Sequence, residues 1–216
     1  MTKVLIAGAG GFGSEVYQYL LDVKRQKTVN LEILGFIDDF LFEQETSYLP
    51  VPILGKIEDY QPQPSEAVIV ALGDPQARKK VSQLILDQGG KLYTLIHPNT
   101  VIADSAVIGE GCILCPFTFV GANATLERGV LLNTYASAGH DSIVGAYSVL
   151  SPYGTLNGKV RTEEGVFLGT HSSVNPGISV GRWSKISAGC AVSSNVPEGS
   201  LVANHPLHSR VMFKVL

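Results

Sequence analysis

The chain is poor in the features that mark a disulfide-held, nucleic-acid-binding or membrane protein. Its 216 residues contain only three cysteines, an odd number that cannot pair off completely and is read as reduced thiols. Lys and Arg number 16 against 19 Asp and Glu, a net charge of −3 with pI near 5.9, and no basic stripe runs through the sequence. That excludes the electrostatic footprint of a nucleic-acid protein. No apolar stretch is long enough for a membrane-spanning helix. Residues 1–13 read as a strand entering a glycine turn, not as a charged segment followed by an apolar signal core. These absences predict a cytoplasmic protein with neither nucleic acid nor membrane as partner. At 45% hydrophobic, a chain of this length buries a real core and divides into two units, residues 1–96 and 97–216.

What the chain does have is a six-residue period. From Ile102 to Val192 every sixth position falls into one inward-pointing register, and fourteen of these sixteen are Val, Ile or Leu, with Ala138 and Thr162 the others. Four places after most of them comes a small residue, among them Ala106, Cys112, Thr118, Ala124, Ala136, Ser142, Ser148, Ser172, Ser184 and Cys190. This is the pattern of a hexapeptide β-helix. Three hexads make one triangular coil, so residues eighteen apart stack at about the strand spacing of 4.8 Å. Sixteen hexads predict roughly five coils. Glycines 109, 121, 139, 145, 169 and 181 are expected to relieve backbone strain at the corners. Cys112 and Cys115 form a C-x-x-C, but no second pair accompanies it and both fit the hexad grid. They are read as buried structural thiols, and no metal site is expected.

The first unit reads as a small parallel sheet with helices. A strand at Lys3–Ala7 leads into Gly8-Ala9-Gly10-Gly11-Phe12-Gly13, a G-x-G-x-x-G turn before a helix over 14–26. A second strand, Ile33–Ile37, ends in Asp38-Asp39, where carboxylates can accept hydrogen bonds from a ribose or base, or simply form a solvated loop. A third, Val68–Leu72, ends in Gly73-Asp74; a helix over 76–88 and a short strand over 91–95 complete it. This is half of a full dinucleotide fold, and it favours a nucleotide diphosphate group over NAD. A glycine turn that only packs helix on strand is the other reading.

Among the five histidines, His140 stands apart. His97 precedes Pro98 at the junction of the two units and reads as structural. His171 has no obvious partner, and His205 and His208 lie in the tail. His140 follows Gly139 at a corner and precedes Asp141, and a carboxylate beside an imidazole holds one ring proton while the other nitrogen accepts one. Spacing alone leaves an exposed corner His equally open. Eighteen residues on lies Gly158, which leaves room beside the ring and offers an N–H to an oxyanion. A zinc enzyme of the γ-carbonic-anhydrase type shares such a coil but needs three converging histidines, and His140 and His171 are 31 apart, not a multiple of 18.

Taken together, the segments Gly8–Gly13, Gly35-Phe36-Ile37-Asp38-Asp39, Val51-Pro52-Ile53-Leu54-Gly55, Ala71-Leu72-Gly73-Asp74, His97-Pro98, Gly139-His140-Asp141 and Asn175-Pro176-Gly177 resemble, over nearly the full length, the hexapeptide-repeat sugar acetyltransferases. These are the sialic acid O-acetyltransferase type and its relatives that N-acetylate nucleotide-linked amino sugars. The resemblance implies an α/β Rossmann-like parallel sheet followed by a left-handed parallel β-helix, an exception to the right-handed crossover rule. It implies a homotrimer with acetyl-CoA as co-substrate between neighbouring coils. His140 would be the general base and Asp141 its acidic partner; Val149, Gly158, Thr170 and Ala188 would stand along acetyl-CoA; Gly10, Gly11, Phe12, Asp38, Asp39 and Gly73 would hold the nucleotide-linked sugar. The amine would attack the thioester directly, without an acyl-enzyme. Sugar O-acetylation and a noncatalytic nucleotide-sugar-binding trimer are the alternatives. Relatives often carry His where this chain has Phe12 and Val149, and the usual tail stretch here reads Asn204-His205-Pro206-Leu207.

Overall fold

The computed structural model describes residues 1–26, 30–42 and 48–204. The tail residues His205 and His208 therefore lie outside the described residues. The N-terminal strands β1 (Thr2–Ala7), β2 (Leu31–Ile37) and β3 (Glu66–Val70) form a three-stranded parallel sheet in the order β2-β1-β3. Helices α1 (Gly11–Arg25) and α2 (Pro75–Asp87) pack on it. The sheet reads as nearly continuous apolar sequence because both of its faces are covered: Val4, Ile6 and Phe36 pack with Val16 and Leu20 of α1, while Leu5, Val68 and Val70 pack with Ile85 of α2. Helix α1 begins at Gly11, three residues earlier than expected, directly on the glycine turn. Asp74 caps α2, its side chain accepting from the amides of Gln76 and Ala77 at 3.0 Å each. The strand expected over 91–95 divides: Leu92 makes a lone bridge to Val68, whereas Leu95–Ile96 already pair with Ile113–Leu114 in the solenoid.

The remainder is a three-faced parallel β-solenoid of two-residue strands. The first face holds seven strands, from Leu95–Ile96 to Leu201–Val202, the second six, from Val101–Ile102 to Ala191–Val192, and the third five, from Val107–Ile108 to Ser179–Val180. That amounts to six turns rather than about five, because the ladder begins before Ile102 and ends after Val192. Partners are eighteen apart from Leu95↔Ile113 up to Phe167↔Lys185. The inward register from Leu114 to Val192 is buried, each large aliphatic worth about 1.5–3 kcal/mol when fully buried. Thr162, the polar exception, turns its hydroxyl to accept from the Gly145 amide at 3.0 Å. The period breaks only at the end, where Val180 bridges Val196 and Lys185 pairs with Leu201, sixteen residues on. Two residues are dropped after Val192, so Val196 and Val202 take over the inward register.

The corner glycines act differently from expectation. Glycines 109, 121, 139, 145, 169 and 181 have ordinary φ; a Cβ on Gly121 would stand 2.7 Å from the amide of His140 in the next coil. They are required by the close approach of adjacent turns. The left-handed backbone recurs instead every six residues at other positions, including Phe117, Asn123, Tyr135, Asp141, Tyr153, Lys159 and His171.

The two units share one apolar cluster, in which Val4, Ile6 and Phe36 join Ile113, Cys115, Leu131 and Val149 of the first solenoid face. Arg78 of α2 fastens them. It is 1% exposed, donates Nη1 to the carbonyls of Val70 and Leu72 at 2.6 and 3.0 Å, and sends Nε and Nη2 to the Gly129 carbonyl at 3.1 and 3.0 Å. Among the described residues no helix is long and apolar enough to cross a membrane.

Candidate active site

The corner after the second solenoid face carries the candidate chemistry. Its left-handed positions form a column eighteen residues apart: Asn123 at φ 58°, Asp141 at 58° and Lys159 at 63°. Asn and Asp are the non-glycine residues that take this conformation most readily. His140, immediately before Asp141, projects from the prism with its side chain 63% exposed. Its Nδ1 lies 2.8 Å from Asp141 Oδ2. The carboxylate can only accept, so Nδ1 carries the proton and Nε2 is left as the acceptor. The hydrogen bond from His140, and after it one from Asn123, holds the Asp141 carboxyl below the usual carboxylate range. Asp141 is therefore an anion at neutral pH.

Gly158, one coil on, lies against the ring: a Cβ built on it would stand 2.6 Å from His140 Cε1, inside contact distance. The absent side chain is what makes room for the imidazole. The Gly158 N–H has no acceptor among the described residues. His140 and Gly158, with Gly121, Ser137, Thr155, Asn157 and Pro176, line a groove of about 450 Å³ along the edge of the second face.

The other expected cofactor residues do not gather here. Thr170 and Ala188 are exposed and stack one coil apart, but on the corner after the first face. Val149 is 3% exposed and packed beneath the N-terminal sheet, so within this chain it cannot touch a ligand in the groove. Its position on the first face turns it towards the other unit.

In the N-terminal unit the four glycines of the turn have separate duties. Gly8 has φ +103° and packs on the Ala71 backbone, and a Cβ on Gly13 would collide with the Gly8 carbonyl. Gly10 and Gly11 face open space, nothing lying within 4 Å of a Cβ built on either. No side chain caps α1 at Gly10, so the helix N-terminus stays available to an anion. Phe12 is partly buried against the sheet cluster. Asp38 is neither a free acceptor nor a solvated loop residue. It is 8% exposed; Oδ2 accepts from the Ala9 amide at 2.8 Å, and Oδ1 from Phe40 and Leu41 at 2.9 and 2.8 Å. It ties the glycine turn to the end of β2, which gives it a shaping role. Asp39 Oδ1 accepts from Ile57 and Glu58 at 2.7 and 3.1 Å, while Gly73 is exposed just before the cap of α2.

His97 is buried between the units, with Nδ1 accepting from the Asn99 amide at 3.1 Å and Nε2 placed 3.4 Å from Asp22 Oδ2. His171 ends a ladder of stacked rings, Phe117–Tyr135–Tyr153–His171, at centroid spacings of 5.0, 4.8 and 4.5 Å. Cys112 and Cys115 are buried and free, and burial raises both thiols, Cys112 to about 11. Among the described residues no group of three or more His, Cys, Asp or Glu is placed to hold a metal ion. Asn123 was not singled out from sequence, although the eighteen-residue period places it directly beneath Asp141.

Comparison with known proteins matches residues 3–85 to the PglD N-terminal domain. Over 145 residues the chain is 30% identical to GDP-perosamine N-acetyltransferase of Escherichia coli O157:H7, covering 63% of this chain and 61% of that protein. The chain spans about half to three-fifths of the length of the curated relatives it matches. Among solved structures, the acetyltransferase domain of PglB from Neisseria gonorrhoeae FA1090 in complex with acetyl coenzyme A superposes with TM-score 0.83 at 29% identity, covering 94% of this chain and 97% of that one. PerB from Caulobacter crescentus in complex with CoA and GDP-perosamine does so with TM-score 0.79 at 27% identity, covering 93% of each. A Rossmann-like parallel sheet followed by a left-handed parallel β-helix, with a histidine–aspartate corner on it, sets this chain beside the nucleotide-amino-sugar N-acetyltransferases in sequence and, over nearly its whole length, in fold.

Proposed function

We propose that the chain is an acetyl-CoA-dependent N-acetyltransferase acting on a nucleotide-linked amino sugar, working in the cytoplasm as a homotrimer. The observation that carries this is the His140–Asp141 pair, with Nε2 free over Gly158 in an open groove, in a fold whose solved relatives bind acetyl-CoA or CoA. The sugar amine attacks the thioester carbonyl carbon while His140 Nε2 takes the amine proton. The Gly158 N–H is free to stabilise the oxyanion. Collapse of the tetrahedral intermediate breaks the C–S bond, and the imidazolium returns its proton to the departing thiolate. Asp141 supports the imidazolium throughout.

The corner arithmetic supports the trimer. His140 and Gly158 stand after the second face, and Thr170 and Ala188 after the first, at opposite edges of the second face. A neighbouring copy packed second face to second face would bring the two edges together, and the outward residues Ser137, Thr155, Ser173 and Ala191 there are small, with Val101 and Phe119 the large ones. In the N-terminal unit the open glycines and the uncapped α1 N-terminus suit the sugar's diphosphate.

The test is release of CoA thiol with a panel of UDP-, GDP- and dTDP-linked amino sugars, the product checked for a new amide by mass spectrometry. Hydroxyl esterification would replace the amine by an alcohol acceptor, and nucleotide-sugar binding with no thiol release would overturn the enzymatic reading. Two variants probe the parts. Gly158→Ala forces the imidazole aside and should lower kcat about ten- to a hundredfold, with the unfolding temperature little changed. A Cβ on Gly10 meets no protein atom, so Gly10→Val should fold with a loss of about 1 kcal/mol at most while weakening nucleotide-sugar binding about tenfold or more in calorimetry. Unchanged affinity would remove the glycine turn from the site.

A further inference from the structure

With side chains 63% and 41% exposed, His140 and Asp141 face competition from water for their mutual hydrogen bond. Something must hold the carboxylate in place, and it lies one coil below. Asn123 shares the left-handed backbone of Asp141 and donates Nδ2 to Asp141 Oδ1 at 3.1 Å, while Oδ2 meets His140 Nδ1 at 2.8 Å. The backbone is pinned as well: the Asn123 amide donates to Ser105 Oγ at 3.0 Å, and the Asp141 amide to the Ala122 carbonyl at 2.8 Å. Two oxygens engaged from two different coils leave the carboxylate no free rotation, and they set the plane in which the imidazole lies.

We propose that Asn123 is a positioning residue of the acyl-transfer site, orienting Asp141 so that His140 keeps its Nδ1–H form and directs Nε2 over Gly158. This rests on the reading of His140 as the base. A neutral amide suits the task, since a cation at 123 would compete with the imidazole for the Asp141 charge. Lys159, in the coil above, already acts on Asp141 from the other side. The charged groups around the pair are thus His140, Asp141 and Lys159, with Asp104 two coils below His140 in its own column.

The experiment is steady-state kinetics across pH on the full chain carrying Asn123→Ala, Asn123→Asp, Asp141→Ala and the Asn123→Ala/Asp141→Ala pair. Asn123→Ala should lower kcat about fivefold, with KM for both substrates within about twofold of wild type. In the Asp141→Ala background the same change should have no further effect, because its partner is gone. Asn123→Asp tolerates the left-handed backbone and adds a negative charge that favours the imidazolium, so the acid limb of the kcat profile should move to higher pH. It also keeps the test alive if the alanine variant does not fold. Wild-type kcat in Asn123→Ala, a full additional loss in the Asp141→Ala background, or an unmoved pH profile in Asn123→Asp would each overturn the proposal. His140→Ala separates the two readings: if it stays active the base assignment fails, whereas an inactive His140→Ala beside a fully active Asn123→Ala sinks the positioning role alone.

Discussion

His140→Ala is expected to lower kcat by about 10²–10⁴-fold while leaving KM for acetyl-CoA within a small factor and the unfolding transition in place. On the proposed mechanism the loss is large because the imidazole takes the amine proton: its Nδ1 is committed to Asp141, and Nε2 is the open lone pair over Gly158. Stability should not follow, since the ring is mostly exposed and lies outside the prism core. The pH profile supplies a second reading of the same variant. Asp141 is held ionised by its hydrogen bond from His140, and a base that must be unprotonated to act gives the wild-type kcat an acid limb. That limb should vanish in the alanine variant. Thiol release measured between pH 5 and 9, together with thermal unfolding, decides it; near-normal turnover with an unchanged acid limb would remove His140 from the base role.

Arg78→Ala is expected to destabilise the fold by about 3–5 kcal/mol, from buried carbonyls left without donors and from the cavity left by a large buried side chain. Burial pulls the guanidinium down to about 10, yet it remains charged at neutral pH because three backbone carbonyls solvate it. Two of these close the end of β3 and the turn into α2, and the third belongs to Gly129 in the solenoid. Removing the side chain takes donors from all three, opens a cavity and unfastens the units from each other. Arg78→Met restores the packing but not the donors and should fall between wild type and alanine. Urea unfolding followed by circular dichroism measures this, and an alanine variant within about 1 kcal/mol of wild type would show that the shared apolar cluster holds the units without the arginine.

Much of this was legible in one dimension. A solenoid converts sequence distance into height along its axis, so a residue and its eighteenth neighbour are stacked whatever the rest of the chain does. The inward aliphatics and Gly158 against His140 both followed from counting. Three positions are set by contacts that are not local. Val149 has the same position in its hexad as exposed Phe119, but the N-terminal sheet covers its face. Asp38 looked like a ligand acceptor until three amides, one from the glycine turn across the unit, were found to use both of its oxygens. The corner glycines were assigned to strain, whereas the next coil's backbone requires them.

The sequence by itself determined the six-residue register, the eighteen-residue stacking, the glycine turn at the start of α1 and the pairing of His140 with Asp141, because each depends only on spacing along one chain. Only the tertiary structure decided which face of the prism the N-terminal unit covers, that Arg78 joins the two units, and that Asn123 donates a hydrogen bond to the Asp141 carboxylate. Those depend on how side chains from distant coils and from the separate sheet are aimed in three dimensions, and a period in sequence carries height but not direction.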